Sequence, residues 1–293
     1  MRAWIALAAA LLAGPAAAQD MALTFDDLPV HSDLPPGETR LGVIARLVGG
    51  LADAGAPPSY GFVNAAGEAE AGGAEALRVW RAAGHPVGNH TWSHRRLEDP
   101  AAFEAEVVRN EPALQGLGGD WRWFRYPFLD EGATPEMRAA GRRILAKRGY
   151  RVASVTLSFH DYAWNGPYAR CAAQGDQAAI AGLEASFLAA ADQSLARAKA
   201  LSRQVAGREI PLVLLMHVGA FDARMLPRLL ALYRERGVRF VTLEAAMADP
   251  FYWEDLQAKA SARPATLEDA AEAKGLTAPP DPYLGPELDK VCR

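Results

Sequence analysis

Apolar positions along the chain switch repeatedly between two spacings. Met21 to Phe25 is a short apolar run bounded by polar residues, the pattern of a buried strand. Thr39 to Ala54 then sets Leu41, Ile44, Leu47 and Leu51 at helical spacing and stops at Gly55. Ser59 to Val63 and Pro86 to Gly88 read as short strands on either side of a helical stretch from Ala74 to Ala83. Pro100 to Leu117 predicts a helix, and Trp121 to Tyr126 an aromatic strand. Thr134-Pro135-Glu136 opens a further helix, with Thr as N-cap and Pro at the first position, that runs to Gly149. Tyr150 to Leu157 and the nearly continuous apolar run Ile210 to Met216 are strands, the second suited to a buried parallel sheet. A helix over Asp222 to Gly237 and a strand over Arg239 to Leu243 close the series.

Strand and helix in one repeating order predict an α/β fold, a parallel sheet with crossover helices. About seven strands in that order favour a closed barrel over an open sheet. Two stretches depart from the repeat. Ala172 to Gly207 is Ala-rich and longer than one crossover needs, so it reads as one long or two shorter helices packed outside the barrel. Ser261 to Arg293 carries a short helix near Leu267 to Lys274 and then a Pro-rich tail, whose Pro279, Pro280 and Pro282 argue for an extended strap. No internal repeat or linker marks a second domain. The expected organisation is a barrel domain over 19–260 and a C-terminal extension over 261–293 packed on it.

The N-terminus narrows the compartment. Met1-Arg2, an apolar run from Ala3 to Ala13 and Ala16-Ala17-Ala18 are the three parts of a secretory signal peptide over 1–18, with cleavage expected after Ala18. That run is too short to span a bilayer, and no later segment is long and apolar enough. The protein is therefore expected to be secreted, or periplasmic in a Gram-negative host. A net charge of -4 offers no footprint for nucleic acid or an anionic membrane. Cys171 and Cys292 either pair, tying the C-terminus to the body in a compartment where disulfides persist, or remain two thiols.

The chemistry gathers behind the strands. Asp26-Asp27 follows the first, His90 and His94 follow Pro86 to Gly88, and Arg125-Tyr126-Pro127-Phe128 closes the aromatic strand. Asp161 follows Tyr150 to Leu157, and His217 follows Ile210 to Met216. Taken singly, each has an ordinary reading: an Asp pair caps turns, a His-x-x-x-His pair is commonly surface, and a lone His behind a strand is commonly core. In a parallel barrel, however, strand ends share one face, where active sites form. Two histidines and a carboxylate suit a catalytic metal, and a second carboxylate beside them suits a base, which points to a metal-dependent hydrolase.

That ordered set of motifs resembles the polysaccharide deacetylase family, also called carbohydrate esterase family 4 or the NodB-homology domain, from Thr24 to about Asp249, with Leu226-Pro227 and Phe240-Val241-Thr242-Leu243 included. The resemblance implies a distorted (β/α)7 barrel related to the TIM barrel. It implies that Asp26 is the general base and that Asp27, His90 and His94 are the metal ligands. Arg125 would orient the base, the Phe128 amide would help hold the oxyanion, Leu215 would line the acetyl pocket, and His217, paired with Asp161, would be the general acid. The chain departs from the family at Ser158, where the fourth motif begins with Asp, and at Tyr162, where it ends with Trp. The groove wall is thus less constrained than the catalytic centre.

Trp92, Trp123, Tyr126 and Trp164 can either stack on sugar rings or fill the core. Tyr126 and Tyr162 are taken as substrate-side residues, His31 as either substrate contact or loop surface, and His85 as structural or solvated at the far end of the barrel. His160 is expected to point away from Asp161 by strand alternation. The function implied is hydrolysis of acetyl groups on a carbohydrate partner, a C–N bond hydrolase acting on N-acetylglucosamine-type units of peptidoglycan or chitin-like oligomers. The expected cofactor is Zn2+, with Co2+ or Ni2+ as substitutes. The alternatives are an O-acetyl esterase on xylan-like glycans, an amidohydrolase on a small non-sugar amide, or a silent carbohydrate-binding protein.

Overall fold

A computed structural model of the chain describes residues 18–262 and 266–293; residues 1–17 of the expected signal peptide lie outside it. Seven strands form one sheet: β1 (Gln19–Leu28), β2 (Tyr60–Val63), β3 (Val87–Asn89), β4 (Trp123–Phe124), β5 (Arg151–Val152), β6 (Leu212–His217) and β7 (Val238–Val241). Their order is β5-β4-β3-β2-β1-β6, with β7 also paired to β1, and every pairing is parallel. β6 and β7 both pair with Met21 and Ala22 of β1, so they lie on opposite edges, and β7 shares β2's edge. The sheet curls, and the chain beyond β5 returns to β6 through a parallel bridge between Leu157 and Leu214. This is the distorted (β/α) barrel expected from the sequence.

The major helices are α1 (Arg40–Asp53), α2 (Gly73–Ala82), α3 (Pro100–Leu117), α4 (Pro135–Lys147), α5 (Asn165–Gln174), α6 (Gln177–Ala206) and α7 (Ala220–Glu235). The start of α4 follows the predicted chemistry, with Thr134 Oγ1 accepting from the Met137 amide at 3.2 Å, and Thr39 Oγ1 caps α1 in the same way, accepting from the Gly42 amide at 3.0 Å. The buried face of α1 is Val43, Ile44, Leu47 and Leu51, close to the periodic set. The Ala-rich excursion resolves into two helices, α5 and α6, because Gly175 at φ 71 terminates the first and Asp176 caps the second. Among the described residues no helix is long and apolar enough to cross a membrane.

One predicted strand is mostly absent. Tyr150 to Leu157 pairs as a strand only at Arg151 and Val152, because beyond them the chain leaves β4 and crosses toward β6. Side chains hold this crossing: Ser154 Oγ donates to Asp255 at 2.7 Å, and Thr156 Oγ1 accepts from the Val213 amide at 2.8 Å. The C-terminal segment packs where expected. Cys171 of α5 and Cys292 form a disulfide, and Arg170 Nη2 donates to the Val291 carbonyl at 2.9 Å.

Glycine 88 has a specific steric role in β3. A Cβ there would lie 2.6 Å from the Phe62 ring and 2.9 Å from the Trp123 carbonyl, so the three central strands could not keep their spacing. Gly88→Ala should therefore lower stability by about 1–3 kcal/mol, the usual result of overpacking. Denaturant unfolding of the variant against the parent checks this.

Candidate active site

The register of β1 on β6 brings two of the chemical clusters together. Asp26 sits directly opposite His217, and Thr24 opposite Leu215. Past the pair, the Val218 amide donates to the Asp26 carbonyl at 3.2 Å, and the His31 amide to the Val218 carbonyl at 2.7 Å. On the other flank, β3 and β4 present His90 and Arg125, joined where the Arg125 amide donates to the Asn89 carbonyl at 3.0 Å. Buried amides brace this junction: Asn89 Nδ2 donates to the Tyr150 hydroxyl at 2.7 Å, and Asn110 Nδ2 to Asn89 Oδ1 at 3.0 Å.

Arg125 is wholly buried, with its guanidinium fully engaged. Nη1 donates to Asp26 Oδ1 and Oδ2 at 3.1 and 3.2 Å, Nη2 to Thr24 Oγ1 at 3.0 Å, and Nε to the Ala153 carbonyl at 2.7 Å. Burial pulls its pKa below the ordinary Arg value, and Asp26 opposes that pull. The result is a carboxylate held in one rotamer by a charge that cannot move away.

Asp27, His90 and His94 converge beside it, with one donor atom from each within 4.8 Å of the others. Asp27 Oδ1 lies 3.3 Å from both His90 Nε2 and His94 Nε2, yet it is buried without a hydrogen-bond partner. His90 Nδ1 must donate to the Arg125 carbonyl, 2.8 Å away, which leaves Nε2 to offer a lone pair. Burial first, then neighbouring His90, push His94 down to about 4, so its ring is neutral at pH 7. Burial alone would raise Asp27, but the hydrogen bond from His31 and the neighbouring imidazoles of His90 and His217 hold it well below the usual carboxylate range. A carboxylate oxygen faced by two imidazole nitrogens with no proton to share is the donor set of a divalent cation, so these residues fit the expected metal.

His217 Nδ1 pairs with Asp161 Oδ1 at 2.9 Å, while Asp161 Oδ2 accepts the His217 amide at 2.6 Å. Burial lowers the imidazole's pKa, but the Asp161 charge and hydrogen bond outweigh it and lift His217 to about 10. Its Nε2 is then a proton donor facing the cavity. Strained backbone concentrates here: Asp27, His94, Phe128 and His160 adopt φ of 63, 57, 59 and 58°.

The polysaccharide deacetylase profile matches residues 13–153, a span that holds Asp26, Asp27, both ligand histidines and Arg125. Over that span the chain is similar to the polysaccharide deacetylase family. Solved structures on the same fold include a T48 deacetylase with substrate, at 19% identity over 79% of this chain and 92% of that one, with a TM-score of 0.52. A Bacillus cereus polysaccharide deacetylase aligns at 20% identity over 76% and 91%, with a TM-score of 0.53. A carbohydrate esterase family 4 pseudoenzyme from Bacillus anthracis aligns at 12% identity over 78% and 66%, with a TM-score of 0.55. No protein of curated function matches the sequence. Since this deacetylase fold also carries a pseudoenzyme, catalysis has to be argued from residues.

Measured against the family motifs, most of the predicted side chains meet at one cavity of about 490 Å³. Asp26, Asp27, His90, His94, Leu215 and His217 line it, as do Phe128 and Tyr162. Phe128 is 54% exposed, with its ring 4.4 Å from that of His94 and the Arg96 guanidinium 3.9 Å above it. Tyr126 is a correction. It is 3% exposed and stacks on Phe103 at 5.7 Å inside a separate core cluster, so it does not face substrate. Trp123 and Trp164 are likewise core, and Trp92 lies beneath the Arg109 guanidinium. His85 is buried, its Nδ1 accepting from the Ser59 amide at 3.1 Å. His160 precedes a 3₁₀ turn rather than extending a strand, and it turns toward Asp281.

Three residues gained importance only in three dimensions. His31 bonds Asp27 Oδ2 at 2.6 Å and packs its ring 4.9 Å from that of His217, so it is part of the site rather than loop surface. Asn165 and Asp222 pair at 2.7 Å close behind Asp161; burial first, then the Asp161 charge, push the Asp222 carboxyl far above its ordinary range. Only their placement in space, with no motif, marks them.

The His217–Asp161 pair makes a signed prediction. A histidine raised from 6.5 to about 10 contributes stability that is fully present below pH 6.5 and is lost as pH rises through 10. In metal-free protein, Asp161→Asn should thus destabilise most at pH 6, with the deficit shrinking steadily toward pH 10. Chemical unfolding of both proteins at pH 6, 8 and 10 measures it.

Proposed function

We propose that the protein is an exported, metal-dependent deacetylase that removes N-acetyl groups from N-acetylglucosamine-type sugars. The observation that carries this reading is the pairing of Asp26 with His217 across β1 and β6, with the Asp27, His90 and His94 donors beside it. A base and an acid on opposite sides of one acyl group, next to a cation site, is what hydrolysis of an unactivated amide requires. Export is supported by the N-terminal pattern and by the Cys171–Cys292 disulfide. The sugar assignment is supported by the polysaccharide deacetylase match over residues 13–153.

In this reading Asp27, His90 and His94 hold the metal, and zinc is the cation best suited to two imidazoles and a carboxylate. When bound, it supplies Lewis-acid polarisation of the acyl oxygen and an acidified water. The protein's own residues do the rest. Asp26, fixed by Arg125, takes the proton from the attacking water. The Phe128 amide donates to the developing oxyanion, and Leu215 packs against the acetyl methyl. His217 gives its Nε2 proton to the leaving amine, and Asp161 balances the charge before transfer and fixes the ring. Without that proton the tetrahedral intermediate would expel water in preference to amine.

Two outcomes test the reading. Acetate release from N-acetylglucosamine oligomers should vanish on chelation and return with zinc; release that survives full metal removal would defeat it. Asp26→Asn should retain metal, measured by elemental analysis, while its kcat falls by about 10²–10⁴. A variant that holds metal and turns over at the parental rate would remove Asp26 from the role of base.

A further inference from the structure

The cavity is not walled by the barrel alone. Besides the catalytic groups, its lining includes Ser194 and Arg197 of α6, Glu268, and Asp281 in the strap. These segments are fastened to one another. Arg197 Nε donates to the Pro279 carbonyl at 2.9 Å, and Arg197 also forms an ion pair with Glu268. His160 Nε2 meets Asp281 Oδ2 at 2.8 Å, and its ring lies 4.7 Å from that of Tyr283. The far end of the strap is anchored by the Cys171–Cys292 disulfide. The wall is therefore a braced part of the fold.

One group on that wall has no hydrogen-bond partner among the described residues. Ser194 is 3% exposed and lines the cavity, and its buried Oγ makes no hydrogen bond, neither to the preceding turn of α6 nor to a neighbour. A helical serine ordinarily returns its hydroxyl to its own backbone, and leaving a buried hydroxyl unpaired is destabilising. The charged groups around it are mutually paired, Arg197 with Glu268 and Asp281 with His160, so the wall presents hydrogen-bonding oxygens without a strong net charge. Its complement is a neutral, hydroxyl-bearing group.

We propose that α6 and the C-terminal strap form an end wall that makes this site a bounded pocket for acetylated amino sugars of one or two units, or for the terminus of a longer chain, with Ser194 Oγ hydrogen-bonding a hydroxyl of the unit distal to the scissile amide. The inference rests on the deacetylase reading and narrows its substrate class from polymer interior to short or terminal saccharide. A volume of about 490 Å³ lies in the range of small-molecule sites. A polymer interior would have to leave the site at both ends, and in the proposed arrangement the braced wall occupies one of them.

The test uses the full chain in two arms. In the first, calorimetry measures binding of the N-acetylglucosamine dimer and hexamer to zinc-loaded Asp26→Asn protein. The expected result is equal affinity for both within about threefold, and a loss of roughly three- to tenfold for the dimer when Ser194→Ala is added, the scale of one hydrogen bond. A hexamer bound tenfold or more tightly than the dimer, no effect of Ser194→Ala, or no binding of either saccharide overturns the proposal. In the second arm, wild-type protein is given the hexamer and the deacetylated positions are located by mass spectrometry. Loss of acetyl from terminal units alone is expected, and loss from interior units overturns the wall. If the dimer binds as expected but no acetate is released from any saccharide, the deacetylase reading fails while the pocket stands.

Discussion

Six consecutive residues of β1, Met21 to Asp26, pair in parallel with Leu212 to His217 of β6, and the chemistry of the site depends on that register. Side chains alternate along a strand, so a slip of one residue would turn Asp26 toward the opposite face and take it away from His217. Several independent contacts resist such a slip. Thr24 Oγ1 donates to the Leu214 carbonyl at 2.7 Å and accepts from Arg125, whose other amino group grips Asp26. Arg125 is thus at once a sheet fastener and an active-site residue. Its charge is tolerable at full burial only because Asp26 neutralises it and carbonyl and hydroxyl oxygens take the remaining protons.

Around this axis, polar groups deep in the barrel do work that apolar packing could not. The Asn89, Asn110 and Tyr150 network ties β3 to α3 and to the start of β5 by directional bonds, and the His90 Nδ1 bond to the Arg125 carbonyl orients the His90 ring. Left-handed backbone at Asp27, His94 and Phe128 bends the chain at or just beyond β1, β3 and β4. Such conformations persist only where surrounding structure over-determines them. Here the strands behind are buried and fully paired, so the strain is carried at the rim where it positions functional atoms.

The same barrel is closed differently from what its motifs alone convey. Helices α5 and α6 lie in the chain between Asp161 and β6, and α6 and the C-terminal strap contribute Ser194, Arg197 and Asp281 to the cavity lining. The aromatic residues divide accordingly: Trp123, Tyr126 and Trp164 fill cores, whereas Phe128 and Tyr162 reach the cavity. The pKa directions follow from this enclosure. Burial pushes His94 toward neutrality and would do the same to His217 were Asp161 not beside it.

By itself the sequence determined the alternation of strand and helix, the cap at Thr134, the resemblance to the family, and the grouping of Asp26, Asp27, His90, His94 and Arg125 behind strands. Those are legible because each depends on local periodicity or on a short motif whose members sit within a few residues at a strand end. Tertiary structure alone decided that β5 would be only two residues long, that Cys171 and Cys292 would pair, and that Tyr126 would be core. It also decided that His31 would join Asp27 and that Ser194, Arg197, Glu268 and Asp281 would face the catalytic groups. The reason is range. A contact between α6, the strap and the barrel rim unites positions far apart in the chain, and no local pattern encodes which face of a long Ala-rich helix will meet a cavity assembled from other strands.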